Sequence, residues 1–185
     1  MATLSRKAQA AISLTFVLGS AAHNPLKLPP TPTIEVRPFS AEYISQQVRQ
    51  EKLDLQYRRA AQIARSVYRE NGCRVDYAEL TGKFAVDVGI SSRILAGLIF
   101  TESSCRPNAE SQTHDIGLMQ VHYTLYRQYT KEQLTDPELN MRVGCGILKG
   151  YINRYGLRKG LHAYNGFGDR TDSYSTKVLT AAGAM

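Results

Sequence analysis

From Ser40 to Asn71 the chain runs without a single Gly or Pro, directly after a stretch that is poorly suited to regular structure. That preceding stretch, from Asn24 to Pro38, reads NPLKLPPTPTIEVRP. Each proline there fixes φ and removes a donor, so residues 24–39 are expected to form an extended linker. Within the uninterrupted run, Leu53, Tyr57, Ala60, Ala64 and Val67 recur at helical spacing, and Ser40 is placed to cap the start. Residues 40–72 therefore form a helical extension of about eight turns, ended by Asn71-Gly72, whose apolar stripe needs a neighbour to cover it. The arginines at 58, 59, 65 and 69 read as its solvated face.

The rest of the chain repeats the helical pattern. Asp76 to Val88 forms one helix that Gly89 breaks, and Ser91 or Ser92 caps an apolar helix through Ser103. Pro107 keeps the next stretch, Asn108 to Asp115, as a polar loop, and Ile116 to Val121 is a short apolar run beginning beside Gly117. Asp136-Pro137 is an N-cap followed by proline at the first helical position, opening a helix that stops at Tyr155-Gly156. Short helices over 159–165 and 171–182 complete the chain. No alternating strand of useful length and no internal repeat occur, so the fold class is mainly α.

At the start, Arg6 and Lys7 precede the uncharged segment AQAAISLTFVLGSAA (Ala8 to Ala22). It is shorter than the roughly 20 residues that span a bilayer as a helix. Residues 1–23 thus read either as an export signal cleaved after Ala22 or as a retained membrane-seeking or partner-binding segment. With apolar residues at 43% and charged residues at 21%, the remainder has material for a true core, which excludes disorder and a wholly membrane-embedded chain. The net charge of +7 is spread over both halves and forms no basic tail. It suits attraction to an anionic polymer or surface, and no nucleic-acid specificity is expected. Cys73, Cys105 and Cys145 include no C-x-x-C pair and no histidine at zinc spacing, so no metal site is expected. One disulfide with one free thiol can be drawn in three ways, and three small buried thiols are an equal alternative.

Glu102 stands at the end of the apolar run Ile94 to Phe100, where its neighbours would desolvate it. A desolvated carboxyl favours its neutral form and can donate a proton near neutral pH, which protonation of a glycosidic oxygen requires. The bland reading is an ordinary carboxylate at a helix end.

Its surroundings favour the chemical reading. Glu102-Ser103-Ser104, Pro107-Asn108-Ala109, Ser111 and Gly117-Leu118-Met119-Gln120-Val121 occur in order. They are followed by Leu134-Thr135-Asp136-Pro137-Glu138-Leu139-Asn140 with Gly144, then Ala163-Tyr164-Asn165-Gly166, then Tyr174 with Val178-Leu179. Together they resemble the soluble lytic transglycosylases, from about Ala78 to Ala182. The resemblance implies a lysozyme-like transglycosylase domain over residues 73–185. It also implies cleavage of the β-1,4 bond between N-acetylmuramic acid and N-acetylglucosamine in peptidoglycan, leaving a 1,6-anhydro end, with no cofactor. Glu102 would be the catalytic acid and then base. Ser111, Gln120, Tyr164 and Asn165 would contact the sugar or face Glu102. Met119 belongs to the same set, with core packing as the favoured reading of its side chain.

Some positions depart from the family pattern. His122-Tyr123 follows Val121 where the family has Met-Pro, so one wall of the cleft is altered and His122 is a doubtful substrate contact. Cys105 replaces an aromatic and Cys145 an alanine, and both are expected to pack inside. The order Asp115-Ile116-Gly117-Leu118-Met119-Gln120 also resembles the chicken-type lysozymes, in which such an aspartate is the second carboxylate, so hydrolysis of the same bond is the alternative. A third reading is a structural adaptor that keeps the fold without turnover. In each case the expected setting is the bacterial cell envelope, reached by export or delivered by a phage particle. Residues 1–72 would be available to anchor the domain in a virion or a secretion apparatus.

Overall fold

The computed structural model describes residues 40–166 and 172–184. The expectations for segments 1–23 and 24–39 lie outside the described residues. The mainly α class is confirmed. Helix α1 spans Ala41–Glu70, and Ser40 caps it, its hydroxyl accepting from Tyr43 N at 3.1 Å. Residues 40–52 are exposed, whereas Ala60, Ala61, Ala64, Val67 and Tyr68 are buried. The small residues matter here. Helix α2 (Ala78–Val88) lays Gly82 so close to α1 that a Cβ on it would stand 2.4 Å from Ala61 N. Two turns further along α1, the Tyr68 hydroxyl shares a buried hydrogen bond of 2.6 Å with Thr81 Oγ1.

Helix α3 (Ser92–Ser103) is buried over nearly its whole length, with Leu95, Leu98 and Ile99 at its centre, and packs against α1, α2 and α7 (Ser173–Ala181). A helix apolar on all its faces belongs in a core, and here other helices surround it. Between α3 and the next long helix lie two strands of two residues, β1 (Asp115–Ile116) and β2 (Val121–His122), paired antiparallel with Asp115 opposite His122. Helices α4 (Lys131–Leu134), α5 (Pro137–Tyr155) and α6 (Leu157–Tyr164) follow. Ile116, Val121 and Leu134 form a small second core beneath the hairpin, joined by Tyr123, Tyr126 and Ile147.

Several boundaries differ from the sequence reading. Helix α2 begins at Ala78 rather than Asp76, and α7 at Ser173 rather than Thr171. Helix α6 spans Leu157–Tyr164 rather than 159–165. Helix α4 was not anticipated, although its signal was present: Thr130 and Gln133 form a capping box in which each side chain serves the other's backbone. Cys73 and Cys105 form a disulfide across 32 residues, and Cys145 is a free, fully buried thiol. This selects one pairing of the three. Cys105 is buried as expected, and it is also a cross-link. No helix among the described residues is long and apolar enough to cross a membrane.

Candidate active site

The site is assembled where α3 ends. Ser104 and Cys105 adopt left-handed backbone (φ 52° and 61°), which turns the chain away from the helix axis directly after Glu102 and Ser103. The disulfide then holds this turn to the α1–α2 connection. Ser103 Oγ lies 3.0 Å from Ile99 O and 2.9 Å from Leu118 O, tying the helix end to the Gly117–Gln120 turn. His114 and Gln120 are also left-handed. Four of the five described non-glycine residues of this kind therefore lie between 104 and 120, a concentration of backbone strain typical of functional sites.

Asn140, fully buried on α5, fastens that turn. Its Nδ2 donates to Ile116 O and Leu134 O, both at 2.8 Å, and its Oδ1 accepts from Met119 N at 2.8 Å. Every partner is backbone, so the amide is satisfied only when the loop has this shape. Gly117 makes the approach feasible, because a Cβ there would sit 2.3 Å from Asn140 Nδ2.

Glu102, Ser111, Asp115, Gln120, His122, Tyr164 and Asn165 all line one open cavity of about 470 Å³. Met119 does not. Its side chain is fully buried against Gly144 and Cys145, so it belongs to the core, and only its backbone serves the site. Thr113, Leu125, Tyr126, Ile147 and Tyr151 also face the cavity, and the sequence reading had not singled them out.

Burial pushes the Glu102 carboxyl up to about 7, the hydroxyl of Tyr174 draws it down, and the charge of Asp115 adds to the rise. Such a group holds an appreciable share of its protons at neutral pH and can donate one. Tyr174 donates to Glu102 Oε1. Tyr164 is different: it faces the cavity, but its hydroxyl donates to Met119 O at 2.8 Å. Burial, with the charge of Glu102 contributing, keeps both phenols well above their usual range, so both remain neutral donors. The role of Tyr174 as partner to the acid was missed. The residue carried only a motif match 72 positions from Glu102.

Asp115 is held by hydroxyl groups. Ser111 Oγ donates to its Oδ2 at 2.7 Å, Thr113 Oγ1 to the same oxygen at 2.6 Å, and His122 Nδ1 stands 3.9 Å from Oδ1. Gln120 Nε2 donates to Gly117 O at 3.0 Å and Ala109 O at 3.2 Å, bracing the turn from within. Among the described residues no cluster of three or more His, Cys, Asp or Glu side chains could hold a metal ion.

The region that holds this cavity is similar to known proteins. Residues 79–180 match the family described as the transglycosylase SLT domain. A transglycosylase of Enterobacteria phage PRD1 is 31% identical over 108 residues, which make up 55% of this chain and 41% of that protein. The chain therefore aligns with less than half of its relative's length. The family match covers more than half of the present chain and contains Glu102, its cavity and both tyrosines, so the chain belongs to the transglycosylase SLT family.

Proposed function

We propose that this protein is a peptidoglycan lytic transglycosylase that cleaves the β-1,4 bond between N-acetylmuramic acid and N-acetylglucosamine. The observation that carries this reading is the carboxyl of Glu102, raised to about 7 and lining an open cavity within the family-matched region. Glu102 donates its proton to the glycosidic oxygen as the bond from that oxygen to C1 of the muramic acid breaks. The C6 hydroxyl oxygen of the same sugar then bonds to C1, and its proton passes to the Glu102 carboxylate. Water is not consumed, and the acid is regenerated in the form in which it started. One carboxyl suffices because the nucleophile belongs to the substrate, in contrast to the usual two-carboxylate glycosidase. Tyr174 holds the carboxyl in place, Asn165 and the carbonyl end of Gln120 offer neutral hydrogen-bonding groups to the sugars, and Ser111, its proton given to Asp115, lines the wall of the cavity.

A second reading, hydrolysis with Asp115 as the other carboxylate, draws support from Asp115 facing the same cavity and raising Glu102. Against it, two hydroxyls already occupy Oδ2 of Asp115. Mass spectrometry of the fragments released from purified sacculi distinguishes the two. Anhydro-muramic ends are expected, reducing ends would establish hydrolysis, and no release would leave only an adaptor. The named relative is a phage protein, which supports local opening of the wall by a phage particle or a secretion machine as the setting. The net positive charge would draw the domain to anionic wall polymers.

A further inference from the structure

Asp172 is the remaining described non-glycine residue with left-handed backbone, at φ 54° and ψ 27°, and it stands directly before α7. An aspartate at that place ordinarily turns its carboxylate onto the first backbone N–H groups of the helix. Here it makes no such cap. Its Oδ1 instead accepts from the hydroxyl of fully buried Ser175, and its Oδ2 accepts from Arg158 Nη1 of α6 at 3.2 Å. The same Arg158 nitrogen lies 3.3 Å from Thr176 Oγ1, and His162 Nδ1, one turn further along α6, stands 4.0 Å from Asp172 Oδ1. The Ser175 hydroxyl, with the Arg158 guanidinium contributing, holds the Asp172 carboxyl below its usual range, so it is charged at neutral pH.

Tyr174 lies in the same first turn of α7, two residues after Asp172, and its hydroxyl donates to Glu102 Oε1. Helix α7 is seated on α3 further along, where Gly97 leaves room for Val178 and Ala182. The first turn of a helix lacks intrahelical partners for its N–H groups, and termini are where helices open first. The Asp172 carboxylate closes this turn from two sides, through Ser175 within α7 and through Arg158 on α6. Helix α6 is itself fixed to the cavity, because the Tyr164 hydroxyl at its end donates to Met119 O at 2.8 Å. An ion pair as exposed as Arg158 and Asp172 adds little to stability, so its effect is one of placement.

We infer that Asp172 is a positioning residue: drawn to Arg158 of α6 and closed on Ser175, it sets the first turn of α7 so that the Tyr174 hydroxyl meets the carboxyl of Glu102. This inference rests on the reaction proposed above, in which Glu102 is the proton donor, and it adds α6 to the parts that hold that donor.

The groups facing Glu102 are Tyr174 of α7, Tyr164 of α6 and Asp115 of β1, and the Tyr174 hydrogen bond is what draws its carboxyl down. Losing that bond therefore raises the pH at which Glu102 titrates. Carboxyl-carbon NMR of the full chain, labelled at glutamate, follows this midpoint without any turnover, and the Glu102 signal is the one missing from Glu102→Gln. Tyr174→Phe gives the shift expected when the hydroxyl is gone. Asp172→Gly suits the left-handed backbone but removes the carboxylate, and Arg158→Met keeps the apolar stem but removes the guanidinium. Each should move the midpoint most of the way to the Tyr174→Phe value, and neither should move it further in a chain that already carries Tyr174→Phe. Asp172→Asn keeps an acceptor for Ser175 and should fall between Asp172→Gly and the unaltered chain. Turnover of sacculi by the Asp172→Gly and Arg158→Met chains should fall by about tenfold with KM unchanged, the mark of a displaced catalytic geometry. A midpoint that stays in place in Asp172→Gly and Arg158→Met overturns the inference, as does one that Tyr174→Phe leaves unmoved or a shift that adds in full to that of Tyr174→Phe. Fragment release by the unaltered chain judges the enzyme reading separately: no release sinks that reading whatever the titration shows.

Discussion

Replacing Glu102 by Gln tests the acid in two independent ways. The carboxyl holds its proton more tightly in the fold, at about 7, than in the unfolded chain, near 4.5. Between those two values the folded state binds more protons, so its stability must fall as pH rises through that window. Below it both states are protonated and nothing is lost; above it the loss is complete. At 1.36 kcal/mol per pH unit the penalty reaches about 3 kcal/mol, an upper limit because the cavity is open to water. Glutamine has no proton to lose and preserves an acceptor for Tyr174. The melting temperature of Glu102→Gln relative to the unaltered protein should therefore rise between pH 4.5 and pH 8, by up to about 10 °C. Sacculus clearing should fall by about 10²- to 10⁴-fold, the usual weight of general acid catalysis. In the unaltered protein, activity should decline above about pH 7 as the donor ionises. Parallel melting curves across the pH range would show that Glu102 is not the desolvated group described here, and a loss of activity under about tenfold would show that it is not the acid.

Four further outcomes follow from the same geometry. Tyr174→Phe removes the hydroxyl that favours the Glu102 carboxylate, so the alkaline limb of the activity profile should move up while turnover falls. Asp115→Asn removes a charge that raises Glu102, so that limb should move down with little loss of maximal rate, whereas a collapse matching that of Glu102→Gln would favour hydrolysis. Tyr164→Phe strands Met119 O, and calorimetric melting should show a cost of about 1 kcal/mol with the greater part of the rate per folded molecule retained. Cys73→Ser opens the 32-residue link, and denaturant titration should show a loss of about 3–4 kcal/mol by loop-closure entropy, with activity falling because the turn after Glu102 loses its tether.

Much of the molecule was legible along the chain because its signals are local. A cap acts on a backbone N–H three residues on, an apolar stripe repeats every three or four residues, and proline acts where it stands. Thus the Ser40 and Asp136 caps and the long helices were readable, with boundaries drifting by about two residues where turns compete with helix. Glu102, Gln120, Tyr164 and Asn165, which line one cavity, were identified by the resemblance of their ordered motifs to a family and not by any local signal. What tertiary structure alone decided were the partners. Gly97 lacks the Cβ that would lie 2.8 Å from Val178 O and Ala182 N, so α7 settles onto α3. Tyr174, one turn before Val178, is thereby brought to Glu102. The same closeness between distant segments joined Cys73 to Cys105 and gave the Tyr164 hydroxyl to Met119 O rather than to the acid. Spacing along a chain states which face a side chain occupies. Which atom it meets there depends on how closely two helices can approach, and that is set by the volume of side chains, or their absence, far away in sequence.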